Sequence, residues 1–271
     1  MTLRSRLTAF AAALSALAAL GAAGTTLAQG FAALVSPPRF ELAAQPGKRL
    51  RDVIEITNAS GQASKFRLKT ADWTLGTDGA VRFDDALKPG SCRPWVAIER
   101  RDLTISPGGK YRYRFEVEPP ADAPPGECRF AILVEGDETS VPMPGGPSLP
   151  ISGRLGVIVY VAVGNAGPQL DVVGGKVASV NQQQLPVIMV KNSGNAHGRV
   201  TGFLGGTDAA GRKLEFTPST LPILPGETRA IPLTLYQERE EAVAIAYPIT
   251  IRGKLEWGEN KSTPFEQSFV R

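Results

Sequence analysis

Two all-β sandwiches in tandem are the fold class that this sequence predicts. Three observations predict it. Apolar and polar residues alternate with period two in many short runs. Glycine, proline, asparagine and aspartate clusters separate those runs at turn spacing. Helical periodicity is absent beyond residue 28, apart from one or two turns that could form in Gln237–Ala246. The chain has 271 residues, enough for two domains that each bury a sizeable core.

The strongest alternation is Leu149–Val163, where every odd position is apolar or glycine and Arg154 is the one charge. Fully extended at ~3.3 Å per residue it would reach roughly 50 Å, about twice an ordinary strand. It reads as one strand that closes a first sandwich and leads toward a second. A period-two strand of this length has more apolar positions than one small sandwich can bury.

The other elements of the first half follow in order. Phe31–Val35 and Arg39–Leu42 flank Ser36-Pro37-Pro38, and Val53–Thr57 stops at Asn58. Lys65–Lys69 alternates and runs to Asp72-Trp73. Thr77-Asp78-Gly79 is a hairpin turn, with Val81–Phe83 as the return strand. Trp95–Ile98, Leu103–Ile105, Tyr111–Val117 and Phe130–Val134 complete the first set. Trp73 and Trp95 are expected in the core rather than on a sugar platform.

Gly164-Asn165-Ala166-Gly167-Pro168 marks a boundary. Beyond it, strands are expected at Lys176–Val180, Leu185–Val190, Gly198–Gly205, Leu214–Phe216, Arg229–Tyr236, Tyr247–Leu255 and Phe265–Val270. The domain expectation is therefore a leader at 1–28, a first sandwich at 29–165 with the long strand, and a second at 166–271.

The leader reads as a cleaved signal peptide: Arg4 and Arg6, the apolar run Leu7–Ala23, and small residues Thr26 and Ala28 before the cleavage point. Export permits disulfides. Only Cys92 and Cys128 are available, so one intramolecular bond is expected. The net charge of +4 falls to +2 once Arg4 and Arg6 are removed (4 − 2). That balance excludes the strongly basic nucleic-acid and membrane-surface binders. No later stretch is apolar for long enough to span a bilayer.

Enzyme chemistry has little to stand on. His197 is the single histidine, in a turn-like GNAHGR, and is expected on a loop surface. There is no GxSxG elbow, HExxH pair, Walker loop or dinucleotide fingerprint. Asp84-Asp85 and Glu238–Glu241 read as solvated faces. No enzyme activity, cofactor or metal is expected.

In order along the mature chain stand Pro38-Arg39-Phe40, the strand ending at Asn58, Asp72-Trp73, Trp95, Ser106-Pro107-Gly108, Pro124-Pro125-Gly126-Glu127 before Arg129, and Arg154 to Tyr160. Val190–Gly194 and Leu224-Pro225-Gly226 follow in the second half. With these pieces the chain resembles the periplasmic pilus-assembly chaperones of the chaperone–usher pathway, as a divergent branch. The resemblance implies two immunoglobulin-like sandwiches in an L shape. It also implies a periplasmic, Sec-exported chaperone that binds pilin-like subunits by donor-strand complementation and delivers them to an outer-membrane usher. The alternative is an exported immunoglobulin-like scaffold or adhesion module of the envelope.

In that family alternate apolar side chains of the seventh strand fill the subunit's groove. Here they would be Val141, Met143, Leu149 and Ile151. Two basic residues in the cleft between domains hold the subunit's C-terminal carboxylate. Arg39 matches the first, and Arg154 is assigned to the second, with Gly156 standing at the strict alignment. The residues that lock the two domains in better-known members have no counterpart that the sequence identifies. Pro142, Pro144, Pro147 and Pro150 imply that strand pairing is interrupted there or begins at Ile151. Self-capping as a homodimer stays open.

Overall fold

The protein, as a computed structural model, is described over residues 31–141, 146, 149–236, 244–258 and 260–271. The expected leader, Met143, Pro142, Pro144, Pro147, Glu238–Glu241 and most of Gln237–Ala246 lie outside the described residues. Of Val141, Leu149 and Ile151 only the backbone is described.

The first domain is a sandwich of two layers. One layer holds β1 (Ala33–Ser36), β3 (Leu50–Asn58), β8 (Lys110–Val117) and β6 (Val96–Ile98), in the order β1-β3-β8-β6. The facing layer runs β2 (Arg39–Ala44), β12 (Arg154–Val163), β9 (Gly126–Gly136), β4 (Ser64–Leu75) and β5 (Val81–Asp84), and β7 (Asp102–Ile105) also pairs with β4. Ser36-Pro37-Pro38 carries the chain from one layer to the other, where proline interrupts the ladder.

Period two sorts the side chains. On β8, Tyr113, Phe115 and Val117 are buried, and on β12, Val157, Val159, Val161 and Val163. They meet Phe40, Ile54, Ile56, Phe66, Leu68 and Phe130 in one core. Trp73 is buried as expected, its Nε1 donating to the Phe130 carbonyl at 3.2 Å, and Trp95 packs against the core. The expected Cys92–Cys128 disulfide is present, with Cα atoms 5.7 Å apart. It joins the two layers, since Cys92 precedes the 3-10 turn Arg93–Trp95 that leads into β6, and Cys128 lies on β9.

Leu149–Val163 is not one strand. It divides at Ser152-Gly153 into β11 (Leu149–Ile151) and β12. β10 (Thr139–Val141) and β11 form a two-stranded ribbon that extends the β9–β12 hairpin. Asp137-Glu138 opposite Ser152 makes the bulge between them. The cause is Phe31, whose ring lies where a Cβ on Gly153 would stand and also covers Gly136. Alternation in sequence continues through a glycine without recording this. Pairing begins at Leu149 rather than Ile151, and Pro150 sits opposite Ser140. A two-stranded ribbon has a single ladder, so nitrogens facing away from it need no partner and proline is tolerated.

The second domain contains β13 (Leu170–Val180), β14 (Gln183–Asn192), β15 (Leu204–Thr207), β16 (Lys213–Pro218), β17 (Thr228–Leu235), β18 (Ile249–Trp257) and β19 (Lys261–Phe269). The order is β13-β14-β17-β16-β15-β18-β19. β17 pairs with β14 up to Pro232 and with β16 from Leu233, so it passes from one layer to the other. The expected strand Gly198–Gly205 is replaced by isolated bridges at Gly198 and Thr201 ahead of β15. Gly202, at φ +135°, lies against the Lys254 carbonyl and breaks the ladder there.

Candidate functional site: the interdomain cleft and the open edge

β2 and β12 run parallel, with Arg39 beside Ile158 and Glu41 beside Tyr160. Odd residues of β12 fill the core, so Arg154, Gly156, Ile158 and Tyr160 face outward with Arg39 and Glu41. That outer face meets the second domain. Leu224 packs into a cluster with Trp73, Tyr160, Ile158 and Phe83. Arg229, itself buried, sends Nη1 to the Gly76 carbonyl at 2.9 Å.

The polar centre of the interface is built around His197. Its ring stacks on Tyr160, with centroids 3.7 Å apart. Its backbone N–H donates to Glu127 Oε2 at 3.0 Å, and Nδ1 bonds the same oxygen. Nε2 faces Glu41 Oε1 at 3.5 Å and Arg199 Nη1 at 2.7 Å. When protonated, Nε2–H points toward Glu41; when neutral, Nε2 accepts from Arg199. Burial alone would press the imidazole pKa down, but hydrogen bonds to Glu127 and Glu41 outweigh it and hold the pKa above the ordinary value. His197 is therefore not on a loop surface. Its local sequence is that of a turn; Glu127 and Tyr160 of the other domain bury it.

Arg199 Nη1 donates to Glu41 Oε1 at 2.7 Å, and Arg39 Nε lies 2.9 Å from the same oxygen. The hydrogen bond from His197 lowers the Glu41 pKa; partial burial opposes it, and Arg199 and Arg39 add to the lowering, for a value of about 2. A cavity of about 450 Å³ opens here between the domains. Sequence reading found Arg39 and missed Glu41, Glu127, His197 and Arg199. The one available signal was a lone histidine two residues before an arginine in the second half.

Arg154 stands apart from Arg39. Four residues of β12 separate it from Ile158, or roughly 13 Å at ~3.3 Å per residue. Its guanidinium lies 3.6 Å from Glu135 and over the Phe83 ring. Gly156 offers no second cation, and the Phe83 ring occupies the space above it.

Among the described residues the same strand has an open edge. β12 pairs with β9 along its length, but β2 joins it only from Ile158 onward. β11 pairs with β10 alone among the described residues. Gly136 N–H donates to the Gly153 carbonyl, and Ile158 N–H donates to the Pro38 carbonyl on the other side. Antiparallel alternation then turns the N–H and C=O of Arg154 and Gly156 toward the side that β2 has not reached.

No protein-family model matches the chain, and no curated protein matches it by sequence. Among solved structures it is similar to the class 5 fimbriae chaperone CfaA at 12% identity, covering 88% of this chain and 99% of that one, with a TM-score of 0.47. The CupB2 chaperone of Pseudomonas aeruginosa shares 12% identity over 87% of this chain and 100% of its own, with a TM-score of 0.43. The SafB chaperone of Salmonella enterica, solved with the SafA pilin, shares 11% identity over 88% and 96%, with a TM-score of 0.46. These are likenesses of fold alone.

Proposed function

We propose that the protein is a periplasmic chaperone that holds exported pilin-like subunits by strand addition and passes them to an outer-membrane usher. The open edge of β11 and β12 carries this reading. A strand laid along it would continue the row that β2 occupies from Arg39 onward, giving main-chain hydrogen bonds along its length. Val141, Met143, Leu149 and Ile151 are the apolar side chains assigned to the subunit's groove.

Polarity of the added strand follows from charge. β2 is parallel to β12, so a strand running the same way in line with β2 would end with its C-terminus at Arg39. The opposite direction would bring an ammonium terminus to an arginine. A C-terminal carboxylate facing Arg39 gains charge-assisted hydrogen bonds. Exposed edges of this kind aggregate unless a partner or a blocking device covers them.

Hydrogen exchange on the chaperone co-purified from the periplasm with a bound subunit tests this. The amides of Arg154 and Gly156 should exchange freely in the isolated chain and slowly in the complex. Protection confined to the second domain, with these amides unchanged, would rule strand addition out.

A further inference from the structure

The cleft already holds a carboxylate. Glu41 Oε1 lies between Arg39 Nε at 2.9 Å and Arg199 Nη1 at 2.7 Å, one arginine from each domain. This is the contact set that a partner's terminal carboxylate would need. We propose that Glu41 is the resident occupant of a two-arginine cradle formed by Arg39 and Arg199, and that a partner's carboxylate binds by displacing it. The proposal rests on the carboxylate-anchor reading above and assigns the second cation to Arg199 instead of Arg154.

Charge balance requires the displacement. Arg39 and Arg199 are matched by Glu41 and Glu127, and His197 adds a positive charge only while it is protonated. With His197 neutral, the hydrogen-bonded cluster has no positive charge to spare for a third carboxylate. Swinging Glu41 into water frees one. A second carboxylate beside an ionised Glu41 would meet like-charge repulsion in a partly desolvated cleft. Beyond the hydrogen bond from His197, Arg199 and Arg39 also hold the Glu41 carboxyl down, so Glu41 does not escape this by protonation at neutral pH.

Of the two glutamates, Glu41 is the one free to leave. The Glu127 side chain is 1% exposed and fixed by the backbone N–H and ring of His197. The Glu41 side chain is 47% exposed and held by side-chain contacts at the cavity rim. Glu41 engages Arg199 through Nη1. A carboxylate can take two donors from one guanidinium, so an incoming group on that side could pair with both terminal nitrogens.

The test is an NMR titration of the full chain with N-acetylglycine and, separately, N-acetylglycinamide. Glu41→Gln should bind the carboxylate about tenfold more tightly than the parent, as expected from removing one charge-assisted competitor. The amide should bind neither. Adding Arg199→Gln to Glu41→Gln should abolish the gain, while the amide spectrum of both domains shows that the fold persists. Equal or weaker carboxylate binding by Glu41→Gln overturns the proposal, as does a gain that survives loss of Arg199. If the carboxylate binds, Glu41→Gln brings no gain and Arg39→Gln weakens binding while Arg199→Gln does not, the anchor reading stands and displacement falls. If carboxylate and amide titrate alike in every variant, the anchor reading falls with it.

Discussion

His197 lies face to face on Tyr160, the rings 3.7 Å apart and 22° from parallel, and so ties the second domain to β12. The tie depends on pH in two directions. The His197 pKa is raised in the folded chain, so its contribution is fully present below the ordinary value of 6.5 and is lost as pH rises through the folded pKa. Glu41 is lowered to about 2, so its contribution is present above 4.5 and is lost as pH falls from there toward 2. The melting difference between the parent and His197→Gln should therefore be largest between about pH 4.5 and 6.5 and shrink on either side. A difference that grows above pH 7 would contradict the assignment.

Arg39 and Arg154 should separate in a binding assay. Arg39→Ala is expected to weaken subunit capture by about 10- to 100-fold, the scale of a lost charge-assisted bond. Arg154→Ala should change it by less than about threefold, because its guanidinium serves an exposed pair with Glu135. Surface plasmon resonance on the purified variants reads both. Equal losses would return Arg154 to the anchor.

Asn58 ends β3 and Asn192 ends β14, each fully buried at a strand end in its own sandwich. Asn58 Nδ2 donates to the carbonyls of Gln62 and Ile105, and Asn192 Nδ2 to those of Ala196 and Ile223. Each stitches a strand end to a distant turn. Asn58→Ala strands those carbonyls and should cost about 2–3 kcal/mol, measured by urea unfolding. A loss below about 0.5 kcal/mol would mean that solvent reaches the turn.

Gly194 packs against the linker, and a Cβ there would meet the backbone of Gly167, Pro168 and Gln169. Backbone does not yield as a side-chain tip does. Gly194→Val is expected to lower the melting temperature and to shift the NMR signals of His197 and Tyr160 together, because the turn that carries His197 must move. Shifts confined to the linker would show that the turn absorbs the insertion locally.

The sandwich architecture was legible where period two is a local property. Tyr111–Val117 and Lys65–Lys69 show their buried faces in the sequence, and Asp72-Trp73 and the two cysteines could be placed by residue type. What was illegible depends on long-range contact. Glycine at position 153 fits an alternating pattern and equally fits a saddle for Phe31. His197 reads as a turn residue until Glu127, 70 residues earlier, closes over it. Arg154 is the lone charge on its strand in the sequence, and only the β2–β12 register places Arg39 four rungs away.

The Cys92–Cys128 bond fastens β9 to the opposite layer, and β9 is the neighbour against which β12 is laid down. Cys128 faces Val161 and follows Glu127, so the mooring point lies beside the cleft, while Arg154 and Gly156 face Glu135 and Leu133 five to seven rungs further along β9. The bond therefore pins the strand position from which Glu127 holds His197. Reduction should accordingly shift the NMR signals of His197 and Tyr160 while leaving those of Arg154 and Gly156 in place.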